Sequence, residues 1–432
     1  MTDSMRRVAI VGGSRIPFCR SNTMYAEKSN LDMLSAVIDG IVQRFDLDGV
    51  QLDEVMAGAV MTHSRDFNLA REAVLSSKLS HLTSGITMQQ ACGTSLQAAL
   101  NIGAKIACGQ IESGIAAGTD TTSDAPIVFG DKFAQRLINL GQARTMKQRL
   151  AALKGFSPGE LKPVAPTNGE MRTGLSMGQH CERMAQEWEI AREDQDQLAY
   201  DSHQKAAAAY DSGFFDDLIT PWGGVTRDNN LRADTSLEKL AGLRTVFDKG
   251  PKATLSPGNS TSLTDGAAAV LLCSEEWAAS HKLPVQAYLT IGRSAAVDFV
   301  NDEGLLMAPT VAVAEMLQHT GLKLQDFDFY EIHEAFAAQV LCTLKAWESE
   351  EYCSQRLGLK KPLGSIDREK LNVHGSSLAV GHPFAATGAR IIATLAQILE
   401  SQGSGRGLIS VCTAGGMGVC AILERPETAK DS

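Results

Sequence analysis

Four side chains in this sequence are of the right kind, and in the right local setting, to move an acyl group. Cys92 lies in QQACGTSLQAAL, where a strand-like run meets a helix opening at Gly93, Thr94 and Ser95. The positive end of a helix dipole and its free N–H groups favour thiolate, which would lower the thiol pKa from its ordinary value of about 8.5. His382 lies in GSSLAVGHPFAATGARI, a glycine-rich turn stiffened by Pro383, which would present an imidazole at a helix start. Cys412 ends a strand in SVCTAGGMGV, beside glycines whose backbone N–H groups are free to face an oxyanion. His333, in YEIHEAFAAQV, follows an apolar strand and begins another helix. A cysteine nucleophile, an imidazole and backbone N–H groups that can face an oxyanion form a set that acyl transfer can use. Read singly, each has an ordinary structural account: cysteines filling space beside small residues, His382 a satisfied loop histidine, His333 a cap or core histidine.

The segments that must position these residues alternate strand and helix. RVAIVGG and EVMAGAV read as strands around the helical spacing of LDMLSAVIDGIVQRF, and SGIAAGTD as a further strand. That order predicts a mostly parallel sheet layered with helices. From about residue 124 to 264 the pattern turns to charged helices and irregular loops, too long for a loop and read as an inserted subdomain. Alternation resumes at DGAAAVLLCSEEW and closes a first half. A second begins near Tyr288, with helices predicted from Thr310 to His319 and from Gly388 to Glu400 and paired strands in GLISVCTAGGMG and VCAILE. The divisions are therefore 1–123, 124–264, 265–287 and 288–432. The second half repeats the order of the first without its residue identities.

Composition sets the outer bounds. At 432 residues, with 44% hydrophobic and 21% charged, the chain exceeds one ordinary core and fits a globular α/β protein of more than one domain. A net charge of -10 argues against nucleic-acid binding. No apolar run is long enough to span a membrane, and the first residues lack a signal peptide's apolar core, so a soluble cytoplasmic protein is expected. Nine cysteines scattered without CxxC or zinc-like spacing predict neither a disulfide framework nor a metal site. KQRLAALKGFSP carries basic and apolar residues at helical spacing, a pattern that fits a partner or membrane surface, although a plain solvated helix is the favoured reading and membrane contact is not expected.

Taken together the segments resemble the thiolase family across nearly the whole chain. QQACGTS matches its nucleophile signature, MGQHCERMAQEWEIAREDQDQLAYDSHQKA its loop-domain helices, and SPGNSTSLTDGAAAV its coenzyme A-facing turn. HEAFAAQ, GHPFAATGAR and CTAGGMG complete the set. The resemblance implies two βαβαβαββ halves in a five-layered αβαβα arrangement, with the inserted segment covering coenzyme A. It implies Cys92 as the acyl-accepting nucleophile, His382 as its base, Cys412 as the acid and base, and His333 as the group orienting a water. The backbone N–H groups of Cys92 and Ala414 would form a second oxyanion hole. Arg232, Thr261 and Met177 would lie against coenzyme A, a substrate; no separate cofactor is implied.

Departures from the commonest pattern narrow the branch. His333 stands where many thiolases have Asn, and HEAF resembles the thiolase subunit of fatty-acid oxidation complexes, which points to thiolysis of 3-ketoacyl-CoA. Acetoacetyl-CoA formation or cleavage is the close alternative. Ala385 replaces a frequent Gly and Gln89 a frequent Asn, while Thr261 keeps the hydroxyl of a ligand-facing serine. The family implies a homodimer or homotetramer, or pairing with a hydratase/dehydrogenase subunit. A ketoacyl synthase would share fold and nucleophile but does not need Cys412, and a non-catalytic lipid carrier would not need all four groups.

Overall fold

The computed structural model describes residues 5–167 and 169–427. In chain order the elements that build its frame are β1 (Val8–Arg15), α1 (Asn30–Phe45), β2 (Glu54–Gly58), α2 (Leu69–Ser76), β3 (Ser84–Thr87), α3 (Thr94–Ala107) and β4 (Ser113–Asp120). After a long excursion come β5 (Thr264–Ser274), β6 (Ala287–Ala296), α4 (Ala308–Thr320), β7 (Phe329–Ile332), α5 (Ala337–Glu348), α6 (Thr387–Gln402), β8 (Gly405–Thr413) and β9 (Met417–Arg425). The predicted helices at 310–319 and 388–400 fall inside α4 and α6.

Strand pairing makes the repeat explicit. β1 pairs antiparallel with β5, β5 antiparallel with β4, β4 parallel with β2, and β2 parallel with β3. The second half runs through the same series: β6 antiparallel with β9, β9 antiparallel with β8, β8 parallel with β7, and a parallel bridge from Tyr330 of β7 to Leu371. The two half-sheets meet where β1 pairs briefly with β6, at Ala9–Tyr288 and Ile10–Ala287.

Side-chain alternation then assigns the layers. Along β5, Ala268, Val270 and Leu272 share one apolar cluster with α3 and α6, while Ala267, Ala269, Leu271 and Cys273 face another with α1 and α2. In β9, Val419, Ala421 and Leu423 reach that same α3/α6 layer, and Cys420 and Ile422 face α4 and α5. Helices therefore lie outside both half-sheets and between them, which is the five-layered arrangement. Strands buried on both faces need unbroken apolar runs such as AAAVLLC, and each fully buried Val, Leu or Ile stabilises the fold by roughly 1.5–3 kcal/mol.

The central helices start close together, and small residues allow it. A Cβ on Gly388 of α6 would stand 2.3 Å from the backbone nitrogen of Leu96 in α3. Ser95 fastens the two: its hydroxyl donates to Ala385 O (2.5 Å) and accepts from Ala389 N (2.8 Å). Cys92 and His382, just upstream of these helices, are thereby brought to one point.

Between β4 and β5 the chain leaves the frame. The helices Met177–Glu187 and Arg192–Asp211 pack onto it, whereas Asp131–Gln142 and Met146–Leu153 bury no residue and leave Ile138, Met146 and Leu150 exposed. Arg15 of β1 holds the excursion through a buried two-pronged pair with Asp228, at 2.6 and 2.8 Å, to which Phe18 N and the Tyr210 hydroxyl also donate. Removing one partner strands a buried charge, so Asp228→Ala is expected to cost about 3–5 kcal/mol, measured as a lowered midpoint of urea unfolding.

Candidate active site

The turn carrying Cys92 is strained and stapled. Ala91 is buried with φ +46, left-handed backbone that costs a side-chain-bearing residue roughly 1–3 kcal/mol. Thr94 compensates, its hydroxyl accepting from Gln90 N (2.9 Å) and donating to Ala91 O (2.7 Å). The next residue, Gly93, sits so near the second half-sheet that a Cβ there would lie 2.7 Å from Val419 and 3.0 Å from Thr413. This close approach sets Cys92 beside the strand end that carries Cys412.

His382 is fixed on every side. Gly381 turns at φ +103 against Thr264, and His382 N donates to the Thr264 hydroxyl (3.2 Å). The ring meets Thr387 Oγ1 through Nδ1 (2.5 Å) and Cys92 Sγ through Nε2 (3.1 Å). Asp120, at the end of β4, accepts from Ala385 N (2.9 Å) and so holds the turn after Pro383. His333 follows β7, its N–H donating to Ser410 O (2.8 Å), and its ring lies 4.2 Å from that of His382. Its Nδ1 meets Ser377 Oγ (2.9 Å), which also accepts from Arg390 (2.8 Å), a buried cation 3.9 Å from Glu331.

Burial decides the charge states. The Cys92 thiol is pushed up to about 12, chiefly by desolvation, against the opposing pull of the Ala414 and Cys92 N–H groups at the sulfur. The expectation that the helix start would lower this pKa is therefore overturned: the site is 9% exposed, and loss of water outweighs the local dipole. Desolvation, then the Arg390 charge, brings His382 down to about 3. His333 is held well below the ordinary imidazole range by burial, then by His382 and Arg390. Cys412, 1% exposed, is held well above its ordinary value by burial first and next by Cys92. At neutral pH the resting site holds neutral thiols and neutral imidazoles.

Cys92, His382 and His333 thus converge, and Cys412 with Ala414 closes the same point from the second half. Thr261 stands nearby, its hydroxyl donating to Ser377 O (3.0 Å), and Met177 packs on the apolar cluster that contains Cys412. Arg232 is exposed and turns its guanidinium onto Asn229 O and Leu231 O. Sequence reasoning missed Ser377, Thr387 and Arg390; all three lie in GSSLAVGHPFAATGAR, and hydroxyls spaced around a histidine were the available signal. It also missed Glu170, which accepts from Gly415 N (2.9 Å).

A buried cysteine paired with imidazole, where two copies of one α/β half meet, defines a cysteine acyltransferase of twinned fold. The chain belongs to the thiolase family: residues 8–276 match the thiolase N-terminal domain and residues 284–425 the thiolase C-terminal domain. It is 39% identical over 424 residues to a 3-ketoacyl-CoA thiolase of Shewanella sediminis (strain HAW-EB3), covering 97% of each chain. To a 3-ketoacyl-CoA thiolase of Pectobacterium carotovorum subsp. carotovorum (strain PC1) the identity is 40%, over 97% of this chain and 96% of that one. Among solved structures it is similar to Bacillus anthracis acetyl-CoA acetyltransferase, at TM-score 0.81 and 28% identity over 98% of this chain and 100% of that one. Human mitochondrial 3-ketoacyl-CoA thiolase superposes with TM-score 0.80 at 25% identity and the same coverage.

Proposed function

We propose that this thiolase cleaves 3-ketoacyl-CoA with coenzyme A, giving acetyl-CoA and an acyl-CoA shortened by two carbons, as in fatty-acid β-oxidation. Cys92 Sγ attacks the 3-keto carbon while His382 Nε2 takes its proton. The C2–C3 bond then breaks, Cys412 protonates the departing acetyl-CoA enolate, and an acyl thioester remains on Cys92. The Cys412 thiolate next removes the proton of incoming coenzyme A, whose sulfur attacks the acyl-Cys92 carbonyl. Collapse returns the Cys92 sulfur to the proton held by His382. The Cys92 and Ala414 N–H groups stabilise one oxyanion, and a water oriented by His333 the other.

The observation that carries this reading is the 3.1 Å contact from His382 Nε2 to Cys92 Sγ, with Ala414 N–H facing the same sulfur. Incubation with acetoacetyl-CoA and mass mapping tests it: one acetyl group on the Cys92 peptide is expected, and acylation elsewhere or nowhere would refute it. The names of the 3-ketoacyl-CoA thiolase relatives favour the degradative substrate range. Because the same steps run backwards, acetoacetyl-CoA formation is the second reading, and steady-state thiolysis along a 3-ketoacyl chain-length series separates the two.

The same reading makes 124–264 a domain covering coenzyme A, set between halves formed by 1–123 with 265–287 and by 288–432, and it puts Arg232, Thr261 and Met177 against that substrate. Assembly as a homodimer or homotetramer, or with a hydratase/dehydrogenase subunit, belongs to it; the exposed Ile127, Val128, Ile138 and Leu150 offer apolar surface for a partner. No helix among the described residues is long and apolar enough to cross a membrane, and nine free thiols suit a reducing cytoplasm. Ser377 has a place in the mechanism as the hydroxyl between Arg390 and His333. Ser377→Ala is expected to lower kcat about tenfold with KM little changed, because a lost buried hydrogen bond of about 1.4 kcal/mol then falls on the transition state. Parallel kcat and KM measurements against one 3-ketoacyl-CoA check it.

A further inference from the structure

Where the nucleophile sits, three metal-binding donors converge. Cys92 Sγ and one ring nitrogen each of His333 and His382 lie within 4.8 Å of one another. Around tetrahedral zinc, with Zn–S near 2.3 Å and Zn–N near 2.1 Å, a sulfur and a nitrogen ligand stand about 3.5 Å apart. Cys92 and His382, at 3.1 Å, already approach that separation, so a small movement of the His333 ring completes the set.

The rings are oriented as metal-ligating histidines are. Each presents Nδ1 to a hydroxyl, Thr387 for His382 and Ser377 for His333, which leaves the His382 Nε2 to the thiol at 3.1 Å and the His333 Nε2 as that ring's remaining ligand atom. The His333 Nε2 is buried and has no hydrogen-bond partner among the described residues. A buried nitrogen without a protein partner, on a ring that lies within 4.8 Å of a thiol and a second imidazole, is open to a ligand, a water during acyl transfer or a metal ion. The surrounding groups are Arg390, whose charge opposes a cation, Glu170, whose charge favours one, and the carboxyls of Asp120 and Glu331, which burial raises to about 7 and about 8 and which favour a cation only as they ionise.

We propose that Cys92, His333 and His382 form a reversible inhibitory site for a zinc-class divalent cation, with water as its fourth ligand. Binding replaces the Cys92 S–H bond with a sulfur–metal bond and releases that proton to solvent, with no change of oxidation state. Affinity therefore rises with pH. The bound sulfur is no longer a nucleophile. Metal binding is independent of the acyl-transfer reading; only the loss of activity rests on it.

Cobalt(II) titrated into the purified full chain tests the proposal. One ion per chain is expected, with a thiolate-to-cobalt band in the near ultraviolet and the intense visible bands of four coordination, both discharged by zinc. Cys92→Ser should abolish the ultraviolet band, His333→Gln should weaken binding more than Ser377→Ala, and Ser377→Ala should weaken it about 10–100-fold. Cys108→Ser, which removes the exposed thiol, should change nothing. Alkylating Cys92 in folded Cys108→Ser protein should block binding without relying on any variant of the site. A band that survives in Cys92→Ser, binding undiminished in His333→Gln, or a six-coordinate spectrum overturns the proposal. Cobalt binding without thiolysis would sink the function and keep the metal site, whereas thiolysis with no cobalt binding would sink the metal site alone.

Discussion

Cys412→Ala is expected to lower steady-state thiolysis about 100- to 10,000-fold, the range in which a positioned acid or base contributes, while Cys92 still accepts an acyl group. The reason lies in where the proton demand falls. Attack by Cys92 is served by His382, 3.1 Å away, and alanine at 412 leaves that contact alone. What the variant lacks is a group to protonate the enolate of acetyl-CoA and then deprotonate coenzyme A. Burial holds the Cys412 thiol well above its ordinary range, so at neutral pH it waits in the protonated form that the first of these steps requires. Rapid quenching should find acetyl-Cys92 accumulating when the variant meets acetoacetyl-CoA, because coenzyme A no longer clears it. Near-normal turnover would refute the role of Cys412, and with it the distinction from a ketoacyl synthase.

The four chemical residues were legible because each stands in a short motif at an element boundary, and boundaries are what glycine, proline and β-branched runs mark. The repeat was legible as an order of segments, but the expected mostly parallel sheet is overturned: β5 lies antiparallel between β1 and β4, and β9 antiparallel between β6 and β8, through packing that, outside the β8–β9 pair, joins segments far apart in sequence. The same limit governs electrostatics. A helix start argues for a low thiol pKa at Cys92, yet burial decides the direction, and the chain packed against this turn, Val419 and Thr413 beside Gly93, is far away in sequence. Arg390 and Glu331 make the point again, since nothing local to either motif tells that a guanidinium and a carboxylate end up buried 3.9 Å apart behind Ser377 and His333.

That neutral resting site makes a second large effect follow. His382→Asn is expected to slow acylation of Cys92 about 1,000-fold at pH 7, within the span assigned to general base catalysis, because a thiol pushed up to about 12 is almost wholly protonated there. Were Cys92 an ionised thiolate at rest, losing the base would matter far less. The pH dependence separates the two pictures. Below its pKa a thiol gains thiolate tenfold with each pH unit, so in the variant the acylation rate should climb about tenfold per unit from pH 6 to the highest pH the fold tolerates, narrowing the deficit as hydroxide takes over from the imidazole. In the wild type His382, brought down to about 3, stays neutral and able to accept a proton throughout that range, so its rate should depend on pH much less. Single-turnover acylation by acetoacetyl-CoA, followed across this range in both proteins, measures the slopes directly. A variant whose rate levels off near neutrality would mean that the Cys92 thiol ionises in the ordinary range, and that the donors around it outweigh its burial.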